Sequence, residues 1–111
     1  MSTAAQSETK LPEKANRMRL RLYVAGSSPH SVEALANLRT ICADQPGSPP
    51  GLEVVDALQE PERALRDGIV VTPTLVRLAP GPELRIFGTL SDPGRVRAAL
   101  GLEARPPSGH A

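Results

Sequence analysis

Aromatic residues are nearly absent from this 111-residue chain, which has one Tyr, one Phe and no Trp. Its core must therefore rest on Leu, Val, Ile and Ala, and it has little surface on which bases or sugar rings could stack. Cysteine is equally scarce. Cys42 stands alone, which excludes an intrachain disulfide and fits a reducing compartment. Charge of one sign is missing too. Residues 18–102 hold nine Arg against nine Asp or Glu, whereas nucleic-acid binders concentrate basic charge against phosphates. No apolar run approaches the ~20 residues of a membrane span, and residues 1–17 lack the apolar core of a signal peptide. The expectation is a cytoplasmic protein with no membrane and no nucleic-acid partner.

Proline, by contrast, is abundant at twelve residues, and most prolines fall where elements begin or end. Residues 1–17 and 103–111 are polar and aperiodic, and are expected to be disordered tails around one domain at 18–102. Leu20, Leu22 and Val24 alternate with Arg19, Arg21 and Tyr23, the period of a strand. Ser28-Pro29 reads as a capped helix start. Val32, Leu35, Leu38, Ile41 and Cys42 then give helical spacing to about Ala43. Residues 44–51 are loop material. Leu52–Asp56 is a short strand placed at a sheet edge, and a short helix runs from Pro61 to about Asp67. Thr74–Leu78 and Leu84–Phe87 form a hairpin across a Pro- and Gly-rich turn. Asp92-Pro93 opens a last helix with Val96, Ala99 and Leu100 inside.

The order is β-α-β-α-β-β-α. Strands joined through a helix tend to run parallel, and the hairpin adds an antiparallel edge. This is a thioredoxin-like α/β plan with one mixed four-stranded sheet. On that plan redox enzymes carry Cys-x-x-Cys at the first strand-to-helix turn, where a helix N-terminus stabilises a thiolate. Here the turn reads Ser28-Pro29-His30-Ser31, so dithiol exchange is excluded. Cys42 lies on the helix stripe and is read as a small buried hydrophobe; a monothiol oxidoreductase is the weaker alternative. His30 has no acidic orienter nearby, and His110 has no co-ligands, so neither a triad nor a metal site is expected. Gly26-Ser27-Ser28 matches neither phosphate-binding glycine pattern. No cofactor is expected. Thr72-Pro73 before the third strand is the position of a cis-proline on this plan.

Taken together, Leu22-Tyr23-Val24-Ala25-Gly26 with Ser28-Pro29 and Ser31-Val32, then Val54-Val55-Asp56, Glu60-Pro61, Thr72-Pro73-Thr74-Leu75 and Gly88-Thr89-Leu90-Ser91-Asp92, resemble the KaiB family. The resemblance implies a non-enzymatic clock-type regulator that binds a KaiC-type ATPase and modulates its phosphorylation cycle. It also implies kinship with the KaiB-like sensory domain of SasA-type histidine kinases, which leaves a redox-inactive adaptor as the alternative. Family members also have a second, differently paired ground state, and the free chain could be a dimer or tetramer. Glu53, Gly68 and the segment after Leu100 depart from cyanobacterial members, so the thioredoxin-like state is expected to dominate here. The expected partner face comprises Leu52, Glu53, Val54 and Asp56 on the second strand, the short second helix, and Arg77 on the third strand.

Overall fold

The computed structural model describes residues 17–45 and 49–102. The expected disordered tails, apart from Arg17, lie outside these residues, as does part of the loop before Gly51. Seven elements follow in order: β1 (Arg19–Val24), α1 (Pro29–Ala43), β2 (Gly51–Asp56), α2 (Pro61–Arg66), β3 (Thr74–Ala79), β4 (Leu84–Phe87) and α3 (Pro93–Leu100). Each helix starts on a proline, whose missing N–H would be unpaired there in any case.

The strands form one sheet in the order β2-β1-β3-β4. The crossover through α1 is parallel, pairing Leu22 with Val54 and Tyr23 with Val55. The crossover through α2 is not. It returns the chain to the far side of β1, where β3 runs antiparallel with Leu22 opposite Leu75. Both β2 and β4 are therefore edges.

Alternation gives the sheet two unlike faces. Leu20, Leu22, Val24 and Leu75 join Ala34, Leu38 and Ile41 of α1 and Val96 and Leu100 of α3 in the main core. The opposite face carries a smaller cluster of Tyr23, Val55, Val76 and Ala64 of α2. A six-residue helix covers little of a sheet; Ala57, Ile69 and Leu78 pack against this cluster, and the charged side chains of Arg21 and Glu53 share that face.

Two helix details differ from the sequence reading. Ser28 makes no side-chain cap. Its Oγ bonds Ser31 Oγ at 2.9 Å, and Ser31 Oγ accepts from the Ala25 N–H at 3.0 Å. That fixes Ser31 inward, so the buried stripe is Ser31, Ala34, Leu38, Ile41 and Cys42, and Val32 is exposed. In α3, Asp92 does cap, accepting from the Arg95 N–H at 3.2 Å. Val96 and Leu100 are buried there, but Ala99 is exposed. The Thr72–Pro73 bond is cis, as are Ala79–Pro80 and Gly81–Pro82.

Candidate partner-binding surface

The strand-to-helix turn after β1 is closed on itself. Besides the two serine contacts, the Gly26 N–H donates to Asp56 Oδ1 at 2.9 Å, and the same oxygen accepts from the Leu58 N–H at 2.9 Å. Gly26 holds a φ of +55°, and a Cβ there would meet the Leu58 side chain at 3.3 Å, so glycine is needed at this position. Ser28 and Ser31 occupy the place of a dithiol and bond each other. Asp56, expected on the partner face, instead ties the end of β2 to this turn. Cys42 is buried in the core, which pushes its thiol pKa up and disfavours the thiolate. No group of three or more candidate metal ligands exists among the described residues.

The remaining expected residues separate. Leu52, Glu53 and Val54 lie on the open edge strand β2, with Val54 38% exposed. Arg77 does not join them. It stands on β3 opposite Leu20, on the main-core side of the sheet, whereas Glu53 projects from the other side with Arg21. Arg77 Nη1 donates to the Leu100 carbonyl at 2.8 Å and Nη2 to the Pro82 carbonyl at 3.2 Å. A guanidinium at a helix C-terminus satisfies orphan carbonyls and complements the helix dipole. Arg77 is thus a fastener for α3, set apart from the β2 surface.

In its place the sheet offers a charged network that sequence spacing did not single out. Arg21 Nε bonds Glu53 at 2.8 Å, and its Nη1 reaches Asp67 at 3.2 Å. Arg63 of α2 pairs with the same Glu53 at 2.9 Å. The Tyr23 hydroxyl donates to Asp67. That hydrogen bond, with Arg21 beside it, holds the Asp67 carboxyl below the usual range. Arg21 and then Arg63 do the same for Glu53. Burial and the adjacent carboxylate push the Tyr23 hydroxyl up. Arg21 on a central strand was the available signal, since a charge there needs partners from neighbouring elements. The network orients Glu53 at the β2 edge next to Val54, and the segment that follows the strand exposes Leu58 and Leu65.

Among the described residues, no nucleophile–base pair, cofactor cradle or reactive thiol emerges from this geometry. Fold and site together define a thioredoxin-like domain that has lost the dithiol of redox members and presents an open β2 edge. The KaiB domain matches residues 21–102, and the chain belongs to the KaiB family of circadian clock proteins. It is 42% identical to circadian clock protein KaiB3 of Synechocystis sp. over 91 residues, covering 82% of this chain and 87% of that protein. It is 45% identical over 84 residues to circadian clock oscillator protein KaiB of a Prochlorococcus marinus strain, covering 76% and 69%. Among solved structures, the N-terminal domain of SasA from Synechococcus elongatus superposes with a TM-score of 0.65 at 26% identity, covering 78% of this chain and 86% of that domain. A thioredoxin from Fasciola hepatica gives 0.64 at 20% identity, covering 88% and 91%. That likeness concerns the fold alone.

Proposed function

We propose that this protein is a non-enzymatic regulator, with residues 18–102 as its one domain, that binds a KaiC-type ATPase in the cytoplasm and modulates its phosphorylation and hydrolysis cycle. The observation that carries the reading is the pairing of KaiB-family membership with an open β2 edge. An edge strand offers unpaired N–H and C=O groups to a partner, and Leu52, Glu53 and Val54 supply the side chains of that edge. Ser28 and Ser31 bonded to each other, with a buried Cys42 as the only thiol, leave the domain to act by contact.

The thioredoxin-like state is the binding-competent one and the resting one. A protein resting there gives up no affinity to a conformational equilibrium. Co-purification of the full chain with a KaiC-type ATPase, with ATP and with ADP, tests the reading. A complex in one nucleotide state, with an altered rate of hydrolysis, supports it. Absence of a complex in both states contradicts it. The likeness to the SasA domain supports a second reading, an adaptor acting through a histidine kinase. In that case the chain would compete with the kinase for a shared partner and leave hydrolysis unchanged.

A further inference from the structure

The open β2 edge carries a pattern of charge as well as unpaired backbone. In its ladder with β1, the Gly51 N–H donates to the Met18 carbonyl at 2.8 Å and the Ala57 N–H to the Val24 carbonyl at 2.8 Å. Gly51, Glu53 and Val55 therefore turn their backbone groups toward β1, and those of Leu52 and Val54 point out of the sheet. The same alternation puts Gly51, Glu53 and Val55 on the second face. Gly51 has no side chain and Val55 is fully buried in the cluster with Ala64 of α2. Glu53 is thus the one β2 side chain that an added strand would meet on that face.

One strand further in stands a row of arginines. Arg17, Arg19 and Arg21 alternate with Met18 and Leu20, which turn to the main core. Arg21, opposite Glu53 in register, is neutralised by Glu53 and Asp67. Arg17 and Arg19 are exposed and meet no carboxylate among the described residues. Arg19 lies opposite Gly51. Arg17 Nε donates to the Pro49 carbonyl at 2.9 Å, which holds its guanidinium 3.9 Å from where a Gly51 Cβ would stand. The missing side chain leaves an open groove of about 240 Å³, lined by Arg19, Leu20, Gly51, Leu52, Glu53 and Leu78.

Building on the ATPase-binding role proposed above, we propose that the β2 edge selects an extended segment of that ATPase carrying a basic and an acidic residue two positions apart. The basic residue lies against Glu53. The acidic one lies over Gly51, where it reaches Arg17 and Arg19. Residues two apart on an added strand fall on one face, so both contacts form together.

The arginines that already hold Glu53 do not block this. Its side chain is 45% exposed, against 20% for Arg21 and 29% for Arg63, and it stands outermost in its row. A cation arriving from the open side meets the carboxylate first, and the row then alternates plus, minus, plus. Opposite charges on facing residues stabilise a strand pair and like charges oppose it. The pattern also fixes the register. A slip of two residues brings the basic residue to the arginines or the acidic one to Glu53, and a slip of one turns both charges to the other face, where Leu52 and Val54 lie.

Titration of a KaiC-type ATPase, with ATP and with ADP, against the full chain and four variants tests the proposal. Glu53→Lys and Arg19→Glu are each expected to weaken binding about fivefold or more. They change the net charge in opposite directions, so a loss in both cannot come from overall charge. Glu33→Lys, on the exposed side of α1, is expected to stay within about twofold of wild type. Gly51→Val closes the groove. A Cβ there has no neighbour nearer than 3.9 Å and a β-branched residue suits a strand, so this variant is expected to melt no lower than wild type and still bind about fivefold or more weakly. Circular dichroism checks that each variant is folded. A wild-type chain that binds in neither nucleotide state overturns the proposed function and this inference with it. Wild-type binding that Glu53→Lys, Arg19→Glu or Gly51→Val leaves unchanged, or that Glu33→Lys weakens equally, overturns the inference alone.

Discussion

The hydroxyl of Tyr23, on the central strand β1, donates to the carboxylate of Asp67, the residue at the end of α2. Tyr23 is fully buried. This contact, with Arg21 alongside, fastens the short helix α2 to the second face of the sheet and sets the segment that follows the β2 edge.

Tyr23→Phe keeps the ring and removes the hydroxyl. A hydrogen bond to a charged group contributes about 1.5–3 kcal/mol, so the variant is expected to lose about 2 kcal/mol. Chemical denaturation of both proteins measures it, and a change within error would remove this contact from the account.

The same pair makes stability depend on pH at both ends. The Asp67 pKa is lowered in the folded protein by the Tyr23 hydroxyl and Arg21. Its contribution is therefore present above the unfolded value of about 3.9 and is lost as pH falls through the folded value. The Tyr23 pKa is raised by burial and by Asp67. Its contribution is present below the unfolded value of about 10 and is lost as pH rises through the folded one. Asp67→Asn is expected to flatten the acid limb of a stability–pH curve, and Tyr23→Phe the alkaline limb. Glu53 adds a smaller acid-side slope, screened by its exposure.

Asp56→Ala leaves the Gly26 and Leu58 amides without their shared acceptor. The expected loss is about 2 kcal/mol, with Asp56→Asn losing less because an oxygen acceptor remains. Thermal denaturation reads the order wild type, Asn, Ala. An Ala variant as stable as wild type would return Asp56 to the list of free surface residues.

Arg77→Glu removes the two carbonyl contacts and places a negative charge at the C-terminal end of α3. The expected cost is about 2 kcal/mol, or roughly 10 °C in Tm for a domain of this size. Such a variant reports on the fold. Its effect on partner binding should follow its loss of stability, which a parallel melt separates from a surface effect.

The element order could be read because proline marks the start of every helix and the β1 alternation is unbroken. The expected edge position of β2 holds, but shortness is not its cause, since at six residues β2 is as long as the central strands β1 and β3. What could not be read were relationships fixed only in three dimensions. Arg77 and Glu53 both sit on strands, but β1 separates those strands and the pleat sends the two side chains to opposite faces. The Arg21–Asp67 contact spans 46 residues and depends on where the α2 crossover sets down. Ser28 reads as a cap by residue type, yet its hydroxyl goes to Ser31, and that choice turns Val32 outward and Ser31 in.

Cys42 is expected to resist alkylation in the native state, since its thiol is buried and its pKa raised, and to react once the chain is unfolded. Fast labelling of native protein would reopen a thiol-based activity.

Titration of a KaiC-type ATPase ring with the full chain and with Val54→Asp tests the central claim most directly. The account predicts a nucleotide-dependent complex for wild type. A folded Val54→Asp should bind at least about tenfold more weakly, since a buried interface residue replaced by a charge costs more than about 1.4 kcal/mol. No binding by the wild-type chain in either nucleotide state, or equal binding by both proteins, would contradict it.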